Sequence, residues 1–409
     1  MLHMLIPARL VRLVVATVAL SYGAAPSNGW AQGLPEKPLR TPDGRLVVSV
    51  ELTGTVGSRD DTAFFNYTDY ERNALRMLRL GTSAAWRPAA WLALAAELRS
   101  EDLEHPDVYA AYARIRPWRT RALDIDVGRI PPAFGAFGRR AYGMDNPVIG
   151  YPLAYQYLTS LRTDAVPANA DDLLRMRGRG WRSSFPVGAA TPAPGVPLVN
   201  GYRWDTGVQV RWQRGIVDAT GAVTTGSLSN PRVLDDNGGK QVSGRVAVRP
   251  ATGLVIGASG AGGAWLARSV PLAGAHPQTA VGADIEYSRD HWIVRGELVL
   301  SRWSLPMPLL PASASAVTAV GRWVEGRYRI TPRVFLAGRA DHLGFSRLQG
   351  SDRAIRALPW DAEVTRVEAG AGYYLQRNLV ARATVQRNHR GGGRVANRTF
   401  VSAQLAYWF

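Results

Sequence analysis

Arginine is the residue type in this sequence that offers the most chemistry, and many arginines recur at alternate positions. In an extended strand such spacing puts side chains on one face, where guanidinium groups concentrate anions and bind carboxylate or phosphate through two parallel hydrogen bonds. The net charge of +17 also favours an anionic partner. The candidate anion-contacting arginines are Arg114, Arg116, Arg175, Arg177, Arg179, Arg182, Arg203, Arg211, Arg245, Arg295, Arg327, Arg339, Arg366 and Arg382.

Carboxylates share the polar faces with these arginines, and Glu97, Asp126 and Asp284 are examples. Ion pairs across neighbouring strands would stiffen a sheet wall instead of binding a solute. For any single arginine we favour this paired arrangement, whereas the excess of arginine over carboxylate favours anions overall. Because the arginines follow strand faces, we expect no nucleic-acid partner.

The sequence carries no recognisable catalytic motif, and we expect no enzyme activity, no catalytic residue, no metal site and no cofactor. It has no cysteine, which excludes a thiolate metal site, a catalytic cysteine and haem attachment through a Cys-x-x-Cys-His motif. Its six histidines fall in no nucleophile or zinc motif. Asp341-His342 with Ser346 is the one suggestive cluster, and it would serve a hydrolase.

The arginines must be positioned by segments in which apolar and polar side chains alternate with a period of two residues. In residues 280–289, for example, four apolar side chains alternate with Asp284, Glu286 and Ser288, as expected for a strand with one polar face. Sixteen segments alternate in this way: 46–56, 74–84, 91–100, 108–116, 122–129, 202–213, 216–225, 241–249, 253–261, 280–289, 291–301, 317–329, 333–342, 363–375, 378–388 and 400–409.

The connections between these segments alternate strictly between short and long. Such alternation, with an even number of strands, is typical of a bacterial outer-membrane barrel. We therefore predict an all-β protein, a transmembrane antiparallel β-barrel of about 16 strands with short periplasmic turns and long outer loops. The candidate arginines would then line the lumen or its mouths. Predicted short connections lie near residues 87–88, 118–119, 215, 250–251, 290, 332 and 376–377, and predicted long ones at 57–73, 101–107, 130–201, 226–240, 262–279, 302–316, 343–362 and 389–398.

Tryptophan and tyrosine cluster near the predicted strand ends, where amphipathic rings would lie at the level of lipid head groups. Candidates for such aromatic girdles are Trp86, Trp91, Tyr109, Tyr112, Trp118, Trp204, Trp212, Tyr287, Trp292, Trp303, Trp323, Tyr328, Tyr373, Tyr374, Tyr407 and Trp408.

Three parts of the chain have distinct composition. Residues 1–31 have the basic start, the apolar core and the small-residue cleavage site of a signal peptide. We expect residues 32–45 to form a short periplasmic N-terminal segment, and residues 46–409 to form a single barrel domain.

The connection 130–201 is unlike the others because, at about 70 residues, it is far longer than an ordinary structureless loop. It contains rigid prolines, several tyrosines and a basic run made of Arg175, Arg177, Arg179 and Arg182, with Trp181 among them. Two interpretations stay open, a constriction folded into the pore and a solvated outer loop.

The final residues, 399–409, form an alternating strand that ends on Phe409. Its spacing predicts Val401 and Leu405 towards lipid and Ser402 and Gln404 towards the lumen. This strand would pair with the segment near 46–56 and close the barrel. We predict that Tyr407, Trp408 and Phe409 form a signal for the barrel-assembly machinery.

The sixteen segments, the aromatic terminus and the element Gly128-Arg129-Ile130-Pro131-Pro132-Ala133-Phe134-Gly135 together resemble a Gram-negative outer-membrane porin. The glycine-arginine element resembles that of the phosphate-selective porins, although this chain has almost no lysine for their Lys and Arg ladder. The resemblance implies a location in the cell outer membrane, a homotrimer, diffusive uptake of solutes and an inward-folded loop that forms the constriction.

Two functions from different classes follow. The first is a passive, anion-preferring pore whose partners are outer-membrane lipid and small anionic or polar solutes. The second is a structural barrel that sheathes or docks a partner, such as a multihaem electron-conduit cytochrome or a surface protein. An outer-membrane enzyme is a third, weaker hypothesis.

Overall fold

In the computed structural model the described residues are 34–409, except for 61–63, 69–71, 119, 192, 233–234, 236, 238, 271–275, 309–315, 353–355 and 394. The predicted signal peptide, residues 1–31, therefore lies outside the described residues.

Sixteen antiparallel strands form one closed barrel, as the alternation predicts. Each strand pairs with its neighbours in sequence, and the last strand pairs with the first through residues such as Leu405 and Gly54. Closure leaves the barrel without a free sheet edge. The strands are β1 Leu46–Gly57, β2 Leu78–Ala89, β3 Leu92–Glu101, β4 Asp107–Ile115, β5 Leu123–Ile130, β6 Asp205–Arg214, β7 Val217–Thr224, β8 Gln241–Ala251, β9 Leu254–Ala264, β10 Pro277–Arg289, β11 Trp292–Ser304, β12 Ala316–Arg329, β13 Val334–Phe345, β14 Val364–Gln376, β15 Leu379–Arg390 and β16 Asn397–Trp408.

Short elements complete the described chain. Leu39–Arg40 adds a two-residue strand to β1. Two small hairpins pair Ala165–Val166 with Val187–Gly188 and Arg347–Leu348 with Leu358–Pro359. The helices are α1 Leu153–Gln156 and α2 Ala170–Arg175, with 3-10 turns at Phe137–Arg140 and Gly180–Arg182.

No helix among the described residues is long and apolar enough to cross a bilayer.

The two faces of the barrel wall differ in polarity. On β10 the outward Val281 is 58% exposed, whereas the inward Asp284 is only 7% exposed. On β16 Val401 and Leu405 point outward and are exposed, while Ser402 is buried and the Gln404 Nε2 donates to Thr55 Oγ1 at 2.8 Å. The predicted register of the last strand is therefore confirmed. An apolar outer wall around a polar interior is the arrangement of a barrel that spans a membrane.

Two predicted features of the chain path are wrong. The second strand runs from Leu78 to Ala89 and not over 74–84, and the predicted turn at Arg87-Pro88 lies inside it. Pro88 is accommodated because the register with β3 shifts between Trp86 and Ala89, and a proline without an N–H fits such an irregularity. The connections also do not alternate strictly, because 102–106 is shorter than 116–122.

The predicted aromatic girdles are correct only in part. Trp86, Trp91, Trp118 and Trp292 are exposed near the short-turn end. In contrast, Tyr109, Trp204, Trp303 and Trp323 are buried inside the barrel. These four side chains are buried because of the long connection between β5 and β6.

Candidate pore and its inner segment

Residues 131–204 connect β5 to β6 and are here called the inner segment. Within its described part, residues 146–162 are buried throughout and lie inside the barrel. Three arginines of neighbouring strands bind backbone carbonyls of the segment. Arg339 Nη1 lies 2.6 Å from Gly150 O, and Arg366 Nη1 lies 3.1 Å from Tyr151 O. Arg382 donates to the carbonyls of Gly143, at 2.6 Å, and Asn146.

Carboxylates of the same wall hold the backbone N–H groups of the segment. Glu368 Oε1 accepts from the amides of Ile149 and Gly150, both at 3.2 Å. Asp341 accepts from the Leu153 amide at 3.2 Å. The wall thus satisfies backbone groups that would otherwise be buried without partners.

The segment also reaches the opposite wall. Arg79 Nη1 of β2 donates to the Tyr151 hydroxyl at 2.9 Å, and Tyr142 donates to Glu97 of β3 at 2.8 Å. Gln209 of β6 donates to the Pro131 carbonyl at 2.8 Å. The inner segment therefore crosses the lumen from wall to wall.

An apolar core joins the segment to the barrel at the end that carries the long loops. Phe137 of the segment packs edge-on against Trp323 of β12, with ring centroids 6.1 Å apart. Trp303 of β11 packs on Trp360 of a long loop at 5.9 Å. All four belong to one buried cluster. This cluster explains why Trp303 and Trp323 point inward, since they pack against the segment and the loops and not against lipid.

Each strand has a buried, inward-pointing side chain in its middle or in the part nearer the long loops. From β1 to β16 these residues are Thr55, Arg79, Glu101, Tyr109, Ile130, Asp205, Thr224, Gln241, Ser259, Gln278, Ser301, Ala319, Leu343, Arg366, Asn388 and Phe400. Two cavities beside the segment measure only about 20 and 30 Å³, close to the space for one or two water molecules. In the central and long-loop part of the barrel, the described residues of the segment and the wall therefore leave little free space in the lumen.

The short-turn half is more open. A cavity of about 310 Å³ lies beneath the segment and is lined by Glu51, Glu97, Arg99, Tyr142 and Trp408 among others. This cavity, which we call the vestibule, is about ten times larger than either cavity beside the segment. A sheathed cytochrome would need the space that the chain's own segment occupies.

Six of the candidate wall arginines pair with carboxylates. This arrangement neutralises charge locally and stiffens the wall, as the paired interpretation predicts. The pairs, given as the distance from the arginine nitrogen to the carboxylate oxygen, are Arg114–Asp126 2.8 Å, Arg116–Asp124 2.7 Å, Arg211–Asp126 3.3 Å, Arg245–Asp284 2.5 Å, Arg295–Glu286 2.9 Å and Arg339–Glu325 2.5 Å.

Three other candidate arginines, Arg327, Arg366 and Arg382, lie in the lumen with no carboxylate at ion-pair distance among the described residues. Arg366 and Arg382 use the carbonyls of the segment, and the Arg327 guanidinium lies 5.9 Å from the centre of the Phe335 ring. Arg203 is half-buried beside the 30 Å³ cavity.

The basic run lies at the long-loop end of the segment. Arg175 is exposed and pairs with Asp172 at 2.8 Å. Arg179 and Arg182 are exposed and Arg177 is half-buried, and none of these three has a carboxylate partner among the described residues. The side chain of Trp181 lies outside the described part.

Several arginines that belong to or contact the segment were missed by the sequence prediction, among them Arg79 and Arg139. Arg79 lies on the inward face of β2, and its position between Leu78 and Leu80 is the signal that could have identified it. Arg139 belongs to the segment itself and donates to Pro132 O at 2.9 Å. Burial, together with Arg211 and Arg245 nearby, lowers the pKa of Arg139 to about 10.

Two loop carboxyl groups are buried where the long loops meet the segment. The Asp60 carboxyl accepts from the Asn66 amide at 2.8 Å, and burial raises its pKa to about 7. Burial also raises the pKa of Asp361, which accepts from the amides of Ser160 and Gly178 at 2.7 Å each. These contacts join the long loops to the inner segment.

The suggestive hydrolytic cluster does not assemble. Asp341 points into the barrel and is buried, whereas His342 is on the outer face. Among the described residues no group of three histidine or acidic side chains converges as a metal site.

Solved structures share this fold at low sequence identity. OmpF of Salmonella typhi, in a complex with daunomycin, matches with a TM-score of 0.55 and 11% identity over 89% of this chain and 97% of that one. An anion-selective porin from Comamonas acidovorans matches with a TM-score of 0.54 and 10% identity over 89% and 98%. OmpT of Vibrio cholerae, in its trimer form, matches with a TM-score of 0.53 and 11% identity over 89% and 99%. No protein-family model and no curated protein matches the sequence.

The closed barrel and these likenesses define the class. The chain has the sixteen-strand fold of the outer-membrane porins of Gram-negative bacteria.

Proposed function

We propose that this chain is a passive diffusion pore of the Gram-negative outer membrane for small hydrophilic solutes, with a preference for anions. The apolar outer wall suits hydrocarbon and the polar interior suits water. The inner segment would act as the constriction that sets the size limit, and the vestibule beneath it would connect to the periplasm.

The preference for anions rests on one observation, the arginines that no carboxylate neutralises. Within the described residues, Arg139, Arg327, Arg366 and Arg382 in the lumen have no carboxylate at ion-pair distance. Three arginines of the basic run share this property at the long-loop mouth. An anion would meet unpaired positive charge at the mouth, and the buried Arg366 and Arg382 would add positive potential at the constriction without touching it. Both effects raise the local concentration of anions.

The chain ends support the proposed domain arrangement and assembly signal. Phe409 and Val50 exchange backbone hydrogen bonds at 3.0 Å, so the last residue seals β16 to β1. Tyr407 donates to the Pro35 carbonyl at 2.8 Å, which ties the N-terminal segment to the short-turn end. We propose that this end faces the periplasm and that the assembly machinery reads Tyr407, Trp408 and Phe409.

We also propose a homotrimer. The support is that one structural neighbour, OmpT of Vibrio cholerae, is described in a trimer form.

Reversal potentials in planar bilayers with a salt gradient test the pore. We expect discrete conductance steps and a reversal potential of the sign that anion flow requires. Firm cation preference would overturn the anion proposal, and absence of conductance from correctly folded protein would overturn the pore itself.

A further inference from the structure

The wall of the vestibule has a gap between two side chains of opposite charge. On the neighbouring strands β1, β2 and β3, the residues Glu51, Gly81 and Arg99 lie directly opposite one another. A Cβ added to Gly81 would make only ordinary contacts, the nearest being Glu51 O at 3.9 Å. Since neighbouring strands are about 4.8 Å apart, the backbones of Glu51 and Arg99 are roughly 10 Å apart. We call the space over Gly81, between these two residues, the notch.

The next inward row, nearer the short turns, keeps the notch open. Its residues on β1, β2 and β3 are Ser49, Ser83 and Glu97, and the two serines are small. All six residues of the two rows line the vestibule. Its volume of about 310 Å³ is within the range of cavities that hold small organic ligands.

Arg99 supplies a cation with unused hydrogen-bond donors. Its side chain is only 6% exposed, and its Nε donates to Glu97 Oε1 at 2.8 Å. The Nη1 and Nη2 groups have no hydrogen-bond partner among the described residues. The guanidinium carbon lies 3.3 Å from the centre of the Tyr109 ring and 4.8 Å from that of the Tyr142 ring, so its plane is fixed. Two adjacent nitrogens of a fixed guanidinium can bind both oxygens of one carboxylate.

Glu51 supplies the opposite charge. Its two carboxylate oxygens accept from the amides of Gly143 and Met144, at 2.9 and 3.3 Å, and the side chain is half-buried. Each carboxylate oxygen can accept a second hydrogen bond, so an ammonium group can bind Glu51 while both amides stay in place. The exposed Glu36 of the N-terminal segment lines the same cavity and adds to its negative charge.

The charges of the cavity select the class of ligand. Its lining includes three carboxylate side chains, Glu36, Glu51 and Glu97, and two guanidinium groups, Arg79 and Arg99. A simple anion would bind Arg99 but meet an excess of carboxylate, and a simple cation would leave the buried Arg99 nitrogens without an acceptor. A small molecule that carries both charges a few ångströms apart satisfies both sides of the notch.

We propose that the vestibule binds a zwitterionic α-amino acid as a solute of the pore. The carboxylate of the solute binds Arg99, its ammonium group binds Glu51, and its side chain packs against Trp408 and Met144, which line the same cavity. Side chains stand roughly perpendicular to a sheet, so the two charged groups are separated by roughly the 10 Å of their backbones. An amino acid with a hydrogen bond of about 2.8 Å at each end spans a comparable distance. As a solute site, the notch rests on the proposed pore function.

Isothermal titration calorimetry of the purified protein in detergent tests the site with three matched probes. Phenylalanine carries both charged groups, phenylpropionate lacks the ammonium group, and phenylethylamine lacks the carboxylate. We expect phenylalanine to bind about tenfold more tightly than either analogue, because each analogue loses one hydrogen-bonded contact between charged groups.

Substitutions on the two sides of the notch should have opposite selectivity. Arg99→Gln should weaken binding of phenylalanine and phenylpropionate about tenfold and leave phenylethylamine unchanged. Glu51→Gln should weaken binding of phenylalanine and phenylethylamine and leave phenylpropionate unchanged. Gly81→Val fills the notch without changing a charge and should weaken binding of all three probes. Arg249→Gln is the matched control, because Arg249 pairs with Asp218 at 3.1 Å at the short-turn end of β8 and does not line the vestibule.

Three outcomes would overturn the proposal. They are equal affinity for phenylalanine and both analogues, an equal loss of all three probes in Arg99→Gln, and unchanged binding in Gly81→Val. The second outcome would give Arg99 a structural role alone. Gly81→Val keeps the test decisive if Arg99→Gln does not fold, since it leaves the pair of Arg99 and Glu97 intact. Calorimetry needs no membrane, so conductance without probe binding overturns the site alone, and probe binding without conductance overturns the pore alone.

Discussion

Arg366 offers the sharpest test of how the inner segment is held. Its guanidinium is fully buried and donates to Tyr151 O of the segment at 3.1 Å, to Phe65 O of a long loop at 2.8 Å and to Asn388 Oδ1 of β15 at 2.7 Å. The guanidinium also donates to Gln156 Oε1 of the segment at 3.3 Å. Replacement by leucine removes all four bonds and leaves two backbone carbonyls buried without donors.

The size of the effect follows from these contacts. A hydrogen bond to a charged group contributes roughly 1.5–3 kcal/mol, so the loss of the two bonds to the segment, those to Tyr151 O and Gln156 Oε1, should weaken the hold on the segment by about 3 kcal/mol or more. Because about 1.4 kcal/mol corresponds to a factor of ten, displaced states of the segment should become roughly a hundredfold more populated.

Hydrogen exchange and single-channel recording measure this change. In Arg366→Leu we expect faster amide exchange over residues 141–157 and more frequent or larger openings in planar bilayers. Arg116→Leu is the control, because Arg116 is half-exposed and, among the described residues, its guanidinium pairs with Asp124 alone. Unchanged exchange and unchanged conductance in Arg366→Leu would refute the view that buried arginines fix the constriction.

Three further predictions concern selectivity, assembly and pH. Replacing the arginines of the basic run by glutamine should lower the ratio of anion to cation permeability, measured from reversal potentials, while heat resistance in detergent stays the same. Leu405→Arg should hinder membrane assembly by roughly 1–2 kcal/mol, because the side chain faces lipid between the middle of β16 and its short-turn end, where a charge costs less than at the bilayer midplane. Gln404→Arg should assemble normally in a vesicle-folding assay. Burial raises the pKa of Asp60 from 3.8 to about 7, so folding favours the protonated acid, and contacts around residues 58–77 should weaken as pH rises from 4 to above 7. Limited proteolysis at pH 5 and pH 8 should show this loss in the unchanged protein but not in Asp60→Asn.

The strands were predictable because their signal is local. In residues 280–289 the apolar Val281, Ala283, Ile285 and Tyr287 alternate with the polar Asp284, Glu286 and Ser288, and the structure extends that strand only to Pro277–Arg289. A period of two residues is imposed by the pleat itself and needs no knowledge of distant contacts.

The constriction was predictable only in outline. The length of the connection 130–201 signalled a special element, but its anchors Glu368 and Arg382 lie about 200 residues further along the chain. Nothing in the sequence around Trp323 shows whether its ring contacts lipid or packs against Phe137. The inward direction of such aromatics depends on what fills the barrel, and this filling is a property of the tertiary structure.

The long sequence separation between the inner segment and its anchors has a consequence for biogenesis. The carbonyls of Gly143, Gly150 and Tyr151 find their donors only on β13, β14 and β15, close to the end of the chain. A nascent chain that lacks these strands must keep the aromatic segment exposed to solvent, where it can aggregate. Once β16 meets β1, the segment is enclosed by a continuous wall. Packing of the segment and closure of the barrel are therefore coupled late events, and this chain needs protection until its last strand is in place.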